Sequence, residues 1–464
     1  MRGRASIVLA VCLGATLLVA VRPQALRPDL RPPVFPTDVL VVGGSPAGVA
    51  AALAAARQGR AVALVERRPY LGTVWTGAML NMIDLSRKPD GDHLIKGIFL
   101  EVYEKIGGIT FDPRHARRVL RELVEREPGI TLFLRTDTLQ PIREAGRVVG
   151  TVVRSWDGEM RTIRAAVVID ATDDGDVAAA AGVRFTYGRE TSGLDRRAMP
   201  ATLMFRVADV DWRAVVHFAW SHRRGRQPSG FFRGYAWGFR ELMFDYQAAD
   251  DRLSAHDLNL GRLPDSTVLI NALQIHDVDG TDPASVRDGY ERARREIPRL
   301  LDYLRAHVPG FERARLVEIA PELYIRETRH LAGLYTLTAE DIAASRVFWD
   351  RVATGSYPVD LHQYKKGEQY PFKPVRRMYT IPLRALVAAG ADGLLVASRA
   401  FSATYQAAGS ARVVPTTMAM GEAAGVAAAV AVEHGLTPRQ LVEQPDLVRE
   451  VQRRLVQAGA VIDF

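Results

Sequence analysis

Thr37-Asp38-Val39-Leu40-Val41-Val42, followed at once by Gly43-Gly44-Ser45-Pro46-Ala47-Gly48, decides how this chain begins to fold. The first six residues are a short apolar run rich in β-branched side chains, which predicts a strand buried in a parallel sheet. Gly43 allows the tight turn out of that strand, and Gly48 lets the next helix pack close to it. Val49 to Gln58 is Ala-rich and predicts that helix, stopped at Gly59. Ala61 to Val65 predicts a second strand, which ends at Glu66.

Strand, turn, helix, strand and acid in this register predict dinucleotide binding. The helix start offers unpaired N–H groups and a positive dipole end to a pyrophosphate. Glu66 lies 23 residues after Gly43, where a carboxylate can accept hydrogen bonds from ribose hydroxyls. Its charge would repel a 2′-phosphate, so NADP is disfavoured. Ser45 stands where the fingerprint usually has its second Gly. With Pro46 it makes a good N-cap and first-turn pair, and its side chain is small enough for a phosphate to approach.

Further along, Pro113 to Glu127 predicts a surface helix and Ile130 to Leu134 a strand. Arg147 to Arg154 and Met160 to Arg164 flank Asp157-Gly158, a hairpin signal. Ala165 to Asp170 predicts another buried strand, running into Ala171-Thr172-Asp173-Asp174-Gly175-Asp176. From residue 184 to 378 the pattern changes. Trp212, Trp220, Phe231, Phe232, Tyr235 and Trp237 crowd together, either as a platform for a sugar or apolar ligand or as core. The small-residue pattern returns at Gly393 to Arg399. A helix from Pro415 to His434 follows, and Gly421, Ala424, Gly425 and Ala428 give it a flat face for close packing. Its apolar run, 423–432, is too short to span a membrane. The tail predicts one or two amphipathic helices.

The expected organisation is an N-terminal segment and linker over 1–36, then a dinucleotide domain in two parts, 37–183 and 379–435. A substrate domain is inserted over 184–378, and a helical tail follows over 436–464. The fold class is α/β, a Rossmann-type domain with an inserted α+β domain. A chain of 464 residues suits such a two-body arrangement.

With 61 Lys plus Arg against 53 Asp plus Glu the formal charge is +8, mostly scattered Arg. No nucleic-acid-reading motif and no metal-ligand spacing accompanies it, so neither a nucleic-acid partner nor a metal is expected. The single cysteine, Cys12, cannot form an internal disulfide or hold an iron–sulfur cluster. Redox chemistry here needs an organic cofactor. Arg2 and Arg4 precede an apolar run from Ala5 to Val21, and a Pro/Arg-rich linker follows. The run predicts export or membrane anchoring, in a cell envelope or outside it. A cytoplasmic protein is expected if the start codon is mis-assigned.

Several of these segments together resemble the FAD-dependent oxidoreductase family. That family also holds the flavin-bearing component of heterodisulfide reductase and proteins labelled xanthan lyases. The matching stretches are Asp38 to Gly48, Val65 to Arg68 with Leu71-Gly72, Ile169 to Gly182, Arg326 to His330, Tyr357 to His362, Tyr379 to Pro382 and Leu395 to Ala428. The resemblance implies a glutathione-reductase-type flavoprotein with non-covalent FAD. Gly43, Gly44, Ser45, Pro46, Ala47, Gly48, Glu66, Arg67 and Gly72 would serve the ADP half. Ala171, Thr172 and Asp176 would line the cofactor. Ser410, Arg412, Pro415 and Thr416 would lie by the flavin ring, where a helix start or an Arg stabilises negative charge. Three positions depart from the family pattern: Ser45, Asp173 and Ser398 each stand where Gly is usual.

Oxidation of an alcohol or amine needs a base near the flavin, and His suits work near neutral pH. His330 with Arg326 and Arg329 is one candidate, or else a salt-bridge cluster with Glu327. His362 is the next, or else a turn histidine. Arg376 and Arg377 would grip a carboxylate, or lie solvated. Tyr335 and Tyr405 are donors or packing. Three functions compete: a dehydrogenase or oxidase passing electrons to an unidentified acceptor, a non-redox flavoprotein (lyase, hydratase or isomerase), and a membrane-tethered electron-transfer component. A small-molecule substrate is expected, and a homodimer is permitted.

Overall fold

The computed structural model describes residues 32–224, 228–243, 245–368 and 377–464. The apolar run 5–21, Cys12 and Arg376 lie outside them. β1 (Val34–Val42) sits centrally in a sheet ordered β3-β2-β1-β6-β5-β4. Its parallel neighbours are β2 (Val62–Val65) and β6 (Met160–Asp170), so Val39 faces Val62 on one side and Val167 on the other. That double pairing is why Val39 to Val42 are buried and why the run needs no polar alternation. β3 (Ile130–Phe133) extends the parallel part, and strand Leu394–Val396 adds to β6.

Two differences from expectation concern β6. The hairpin arm and the buried strand are one 11-residue strand, because nothing between Arg164 and Ala165 interrupts the extended backbone. Its first half pairs antiparallel with β5 (Arg147–Ser155) while it also runs beside β1. A further strand, β4 (Thr136–Glu144), pairs with β5; its mixed polar sequence gave no strand signal.

α1 (Pro46–Arg57) connects β1 to β2 and packs on helix Val414–Glu433. The approach is close. A Cβ built on Gly425 would stand 2.3 Å from the Ala51 carbonyl oxygen. The helix is long and apolar enough to cross a membrane by length and composition, but 89% of its apolar window is buried inside the protein. It is a core helix.

A second core spans Ala201 to Leu323, joined by Met79, Leu80 and Met82. It fills the space between a six-stranded sheet and the 25-residue helix Pro283–His307. Leu331, Leu337, Phe348 and Val352 instead belong to the first core. The expected inserted stretch 184–378 thus contributes buried residues to both cores. Strand Arg351–Gly355 pairs with Tyr379–Pro382 and packs against helix Val414–Glu433, which returns this stretch to the dinucleotide side. Helices Pro438–Val442 and Pro445–Gln457 form the tail. The aromatic stretch divides. Tyr235 and Trp212 are partly buried, whereas Trp220, Phe231, Phe232 and Trp237 are exposed.

Candidate active site

The turn after β1 shows why glycine is needed. Gly43 has φ +103°, and a Cβ there would stand 2.5 Å from the Ala171 carbonyl group. A Cβ on Gly48 would stand 1.9 Å from the Gly43 carbonyl oxygen. Ser45, in contrast, has φ −61°, so no glycine is required at this position. Its hydroxyl donates to the Ala171 carbonyl at 2.8 Å and accepts from the Gly48 N–H at 3.1 Å, tying the helix start to the end of β6. Asp173 and Ser398 likewise avoid positive φ; the left-handed residue of the second turn is Gly175. All three departures from the family pattern are therefore accommodated by the backbone.

Glu66 ends β2 almost fully buried. It accepts from the Gly44 N–H at 2.6 Å and the Arg68 N–H at 2.8 Å. Burial raises its pKa, against the pull of Arg68. A cavity of about 660 Å3 opens beside it, lined by Gly43, Glu66, Arg67, Ala171, Thr172, Asp173, Asp176 and Arg399 from one body and Arg287, Tyr290 and Glu322 from the other. A volume of this order is that of an ordinary small-molecule or cofactor cleft. Arg68 pairs with Glu322 at 2.6 Å and closes one side.

A smaller cavity of about 40 Å3 adjoins it, since Val74, Asp173, Ile325 and Arg399 line both. Ser45, Asp84, Tyr324, Arg326, Arg412 and the start of helix Val414–Glu433 complete its wall. Here the buried Nε groups of Arg399 and Arg412 have no hydrogen-bond partner among the described residues. Unpaired buried donors are costly, and they suit a cavity built to receive an anionic, hydrogen-bonding ligand.

Asp84, Arg326 and Arg412 on this wall belong to a cluster of ionisable groups. Asp84 accepts from the Tyr357 hydroxyl at 2.9 Å. Burial, with Asp360 nearby, pushes the Asp84 pKa up to about 6. Arg412 donates to the Asp360 carboxylate at 2.9 Å and to its carbonyl at 3.2 Å. Burial works against the Asp360 carboxylate, but His362, Arg412 and Arg326 hold its pKa below the ordinary range. Burial and Arg326 push His362 down. His362 lies 3.4 Å from Asp360 and 3.3 Å from the Gln274 amide. Arg326 stacks on Tyr324 and donates to the Pro200 carbonyl.

The expected candidates thus separate. Arg326 and Arg412 reach the small cavity, and His362 stands one residue behind it. Buried His330 instead faces Glu327 at 2.9 Å, and Glu327 also accepts from the Met199 N–H. Arg329 holds Asp176 at 2.8 Å. Neither residue is among those lining either cavity, and His330 sits with Glu327 in a buried hydrogen-bonded cluster. Ser410 is also set back; it donates to the Tyr357 carbonyl at 2.6 Å and meets the Tyr379 hydroxyl at 2.7 Å. Gly72 donates to the Gly44 carbonyl at 2.7 Å and supports the first turn from outside. Tyr335 bonds Asp341, and Tyr405 packs edge-on against Tyr364. Asp84 was missed. Its one signal is a lone acid among Met82, Ile83 and Leu85.

A family described as FAD dependent oxidoreductase matches residues 38–455. The chain belongs to that family. It is an enzyme, and FAD is its cofactor. Among individual relatives, a digeranylgeranylglycerophospholipid reductase of Picrophilus torridus is 31% identical over 29% of this chain and 38% of its own length. A thiamine thiazole synthase of Desulfosudis oleivorans is 30% identical over 29% of this chain and 55% of its own. The chain thus spans less than two thirds of these curated relatives. A geranylgeranyl bacteriochlorophyll reductase-like structure from Thermoplasma acidophilum aligns over 91% of this chain and 84% of its own, at 14% identity and a TM-score of 0.44.

Proposed function

We propose that this FAD-dependent oxidoreductase is of the dehydrogenase or oxidase type, moving a hydride between a small organic substrate and non-covalent FAD. Gly43 to Gly48, with Glu66, would hold the ADP half in the larger cavity. Arg399, Arg412 and the start of helix Val414–Glu433 would face the flavin end. Bound FAD supplies the hydride acceptor or donor. The chain's own residues supply the rest. Asp84 takes or gives the accompanying proton at its carboxylate, whose pKa of about 6 lies near working pH. Tyr357 holds that carboxylate in place, and Arg326 orients the substrate through its charge. His362 and Asp360 position Arg412.

The observation that carries this reading is Asp84 on the wall of the small cavity, hydrogen-bonded to Tyr357 and adjoining the dinucleotide cradle. The test begins with the purified full chain. Yellow protein that releases FAD on acid precipitation is expected, and anaerobic addition of hydroxy- or amino-compounds should bleach the flavin with one of them. Product formation without bleaching would overturn the redox assignment in favour of a lyase, hydratase or isomerase.

A further inference from the structure

The inserted body ends in an exposed hairpin. Strands Gly230–Phe232 and Tyr235–Trp237 meet at Arg233-Gly234, and the first is an edge of the six-stranded sheet. Phe231, Phe232 and Trp237 are 37%, 43% and 37% exposed, and Trp220 at the end of the neighbouring helix Trp212–Ser221 is 52% exposed. Large aromatic rings at an open sheet edge form a surface that calls for a partner.

The charge along this stretch of sequence is one-sided, although Arg240 pairs with Asp257 and Glu241 lies 4.0 Å from His222. From Trp212 to Arg240 the chain has six Arg and no Asp or Glu, although acids make up 53 of its 464 residues. Arg223, Arg224 and Arg233 are exposed, and among the described residues none of them is in an ion pair. Arg223 lies over the Trp220 ring at 3.9 Å and Arg233 over Phe232 at 5.4 Å. Cation and ring are thus presented together, as at a membrane interface, where rings sit at headgroup level and cations meet lipid phosphates.

Phe232, Tyr235 and Trp237 share one face of the hairpin, while Phe231, opposite Ala236, projects from the other. A wedge entering an interface needs rings on both faces. A second copy of this chain would bring the same arginines against one another.

We propose that this hairpin, with the end of helix Trp212–Ser221, docks on an anionic phospholipid bilayer. The surface is separate from the apolar run 5–21 and does not depend on it. The test uses the full chain with vesicles of phosphatidylcholine, alone or mixed with phosphatidylglycerol, carrying brominated acyl chains that quench tryptophan on contact. Quenching is expected on the anionic vesicles and should largely vanish in W220F/W237F. Each arginine lost should weaken the contact about fivefold, so R223E/R233E should lower it about 25-fold or more, with near-ultraviolet dichroism unchanged. Equal quenching on neutral vesicles would overturn the proposal. So would vesicle association without quenching, which would assign all contact to residues 5–21. A dimer in detergent that F231S/F232S converts to monomer would give the surface to a second copy and overturn it as well.

Discussion

A Cβ built on Gly421 would stand 2.1 Å from the carbonyl oxygen of Ala47. This one distance sets how the dinucleotide helix is seated. Ala47 is in the first turn of α1, beside the Gly43–Gly48 turn, and Gly421 is in the second turn of helix Val414–Glu433. Backbone oxygen cannot yield as a side chain can, so any larger residue must push the two helices apart. Gly421→Val should cost about 1–3 kcal/mol, the usual range for overpacking. It should also weaken FAD retention, because the displaced element carries the cradle. Denaturant unfolding and the flavin absorbance of the purified variant check both; unchanged stability would mean that the helices already have room.

Glu422, the next residue, supplies a pH test. It accepts from the Ile98 N–H at 3.1 Å and so caps helix Ile98–Ile106, whose own N-cap is Gly97. Burial raises its pKa from 4.5 to about 7. A folded-state pKa above the unfolded one means that the native protein binds the extra proton. That stabilisation is complete below about pH 4.5 and is lost as pH rises through about 7. Gln at 422 keeps an oxygen for Ile98 and cannot ionise. Glu422→Gln should therefore gain on the wild type between pH 5 and 8, by about 3 kcal/mol at the upper end. Melting temperatures of both proteins across this range give the difference directly, and parallel curves would place the Glu422 pKa in the ordinary range.

Much of the scaffold was legible in local sequence. Thr37 to Glu66 carries its strand, turn and helix signals within thirty residues, each set by side-chain size and backbone freedom alone. The flat face of Gly421 and Gly425 was legible for the same reason. Asp84 was not, because its character comes from contacts far along the chain: Tyr357 lies 273 residues away. His330 shows how a local contact can stand beside a chemical reading. A His between two Arg residues reads as chemistry, yet Glu327, only three residues earlier, takes its Nε2 into a buried pair. Strand β4 was missed because it lies at a sheet edge and six of its nine residues are polar.

Glu66 makes a different prediction from that of an acid waiting for a ribose. Both of its oxygens already accept backbone N–H bonds, from Gly44 and Arg68. Its first role is to fix the shape of the turn that meets the pyrophosphate. Glu66→Gln replaces one acceptor by an amide that must face an N–H donor. Leaving a buried donor unpaired costs about 1–3 kcal/mol. FAD affinity should fall about tenfold or more, read by titrating the apoprotein with FAD and following flavin fluorescence. If only the sugar contact mattered, AMP binding would weaken and the helix start would keep its affinity for inorganic pyrophosphate; loss of both is expected.

Asp84 and Tyr357 together make the sharpest test of the chemistry. When Asp84 accepts a proton from the substrate it must be ionised, so the rate of flavin reduction should rise as pH passes through about 6. Asp84→Asn should lower that rate by about 10²–10⁴ and abolish this limb, while FAD stays bound. Tyr357→Phe is the finer probe. The tyrosine hydroxyl donates to the carboxylate and favours its charged form. Without it the Asp84 pKa rises, and the limb should move to higher pH with the plateau rate kept within a few fold. Stopped-flow reduction of the three proteins between pH 5 and 9 separates these outcomes. A limb that stays at the same pH in Tyr357→Phe would assign it to another group, and His362, whose pKa is lowered by burial and Arg326, would then be the residue to replace.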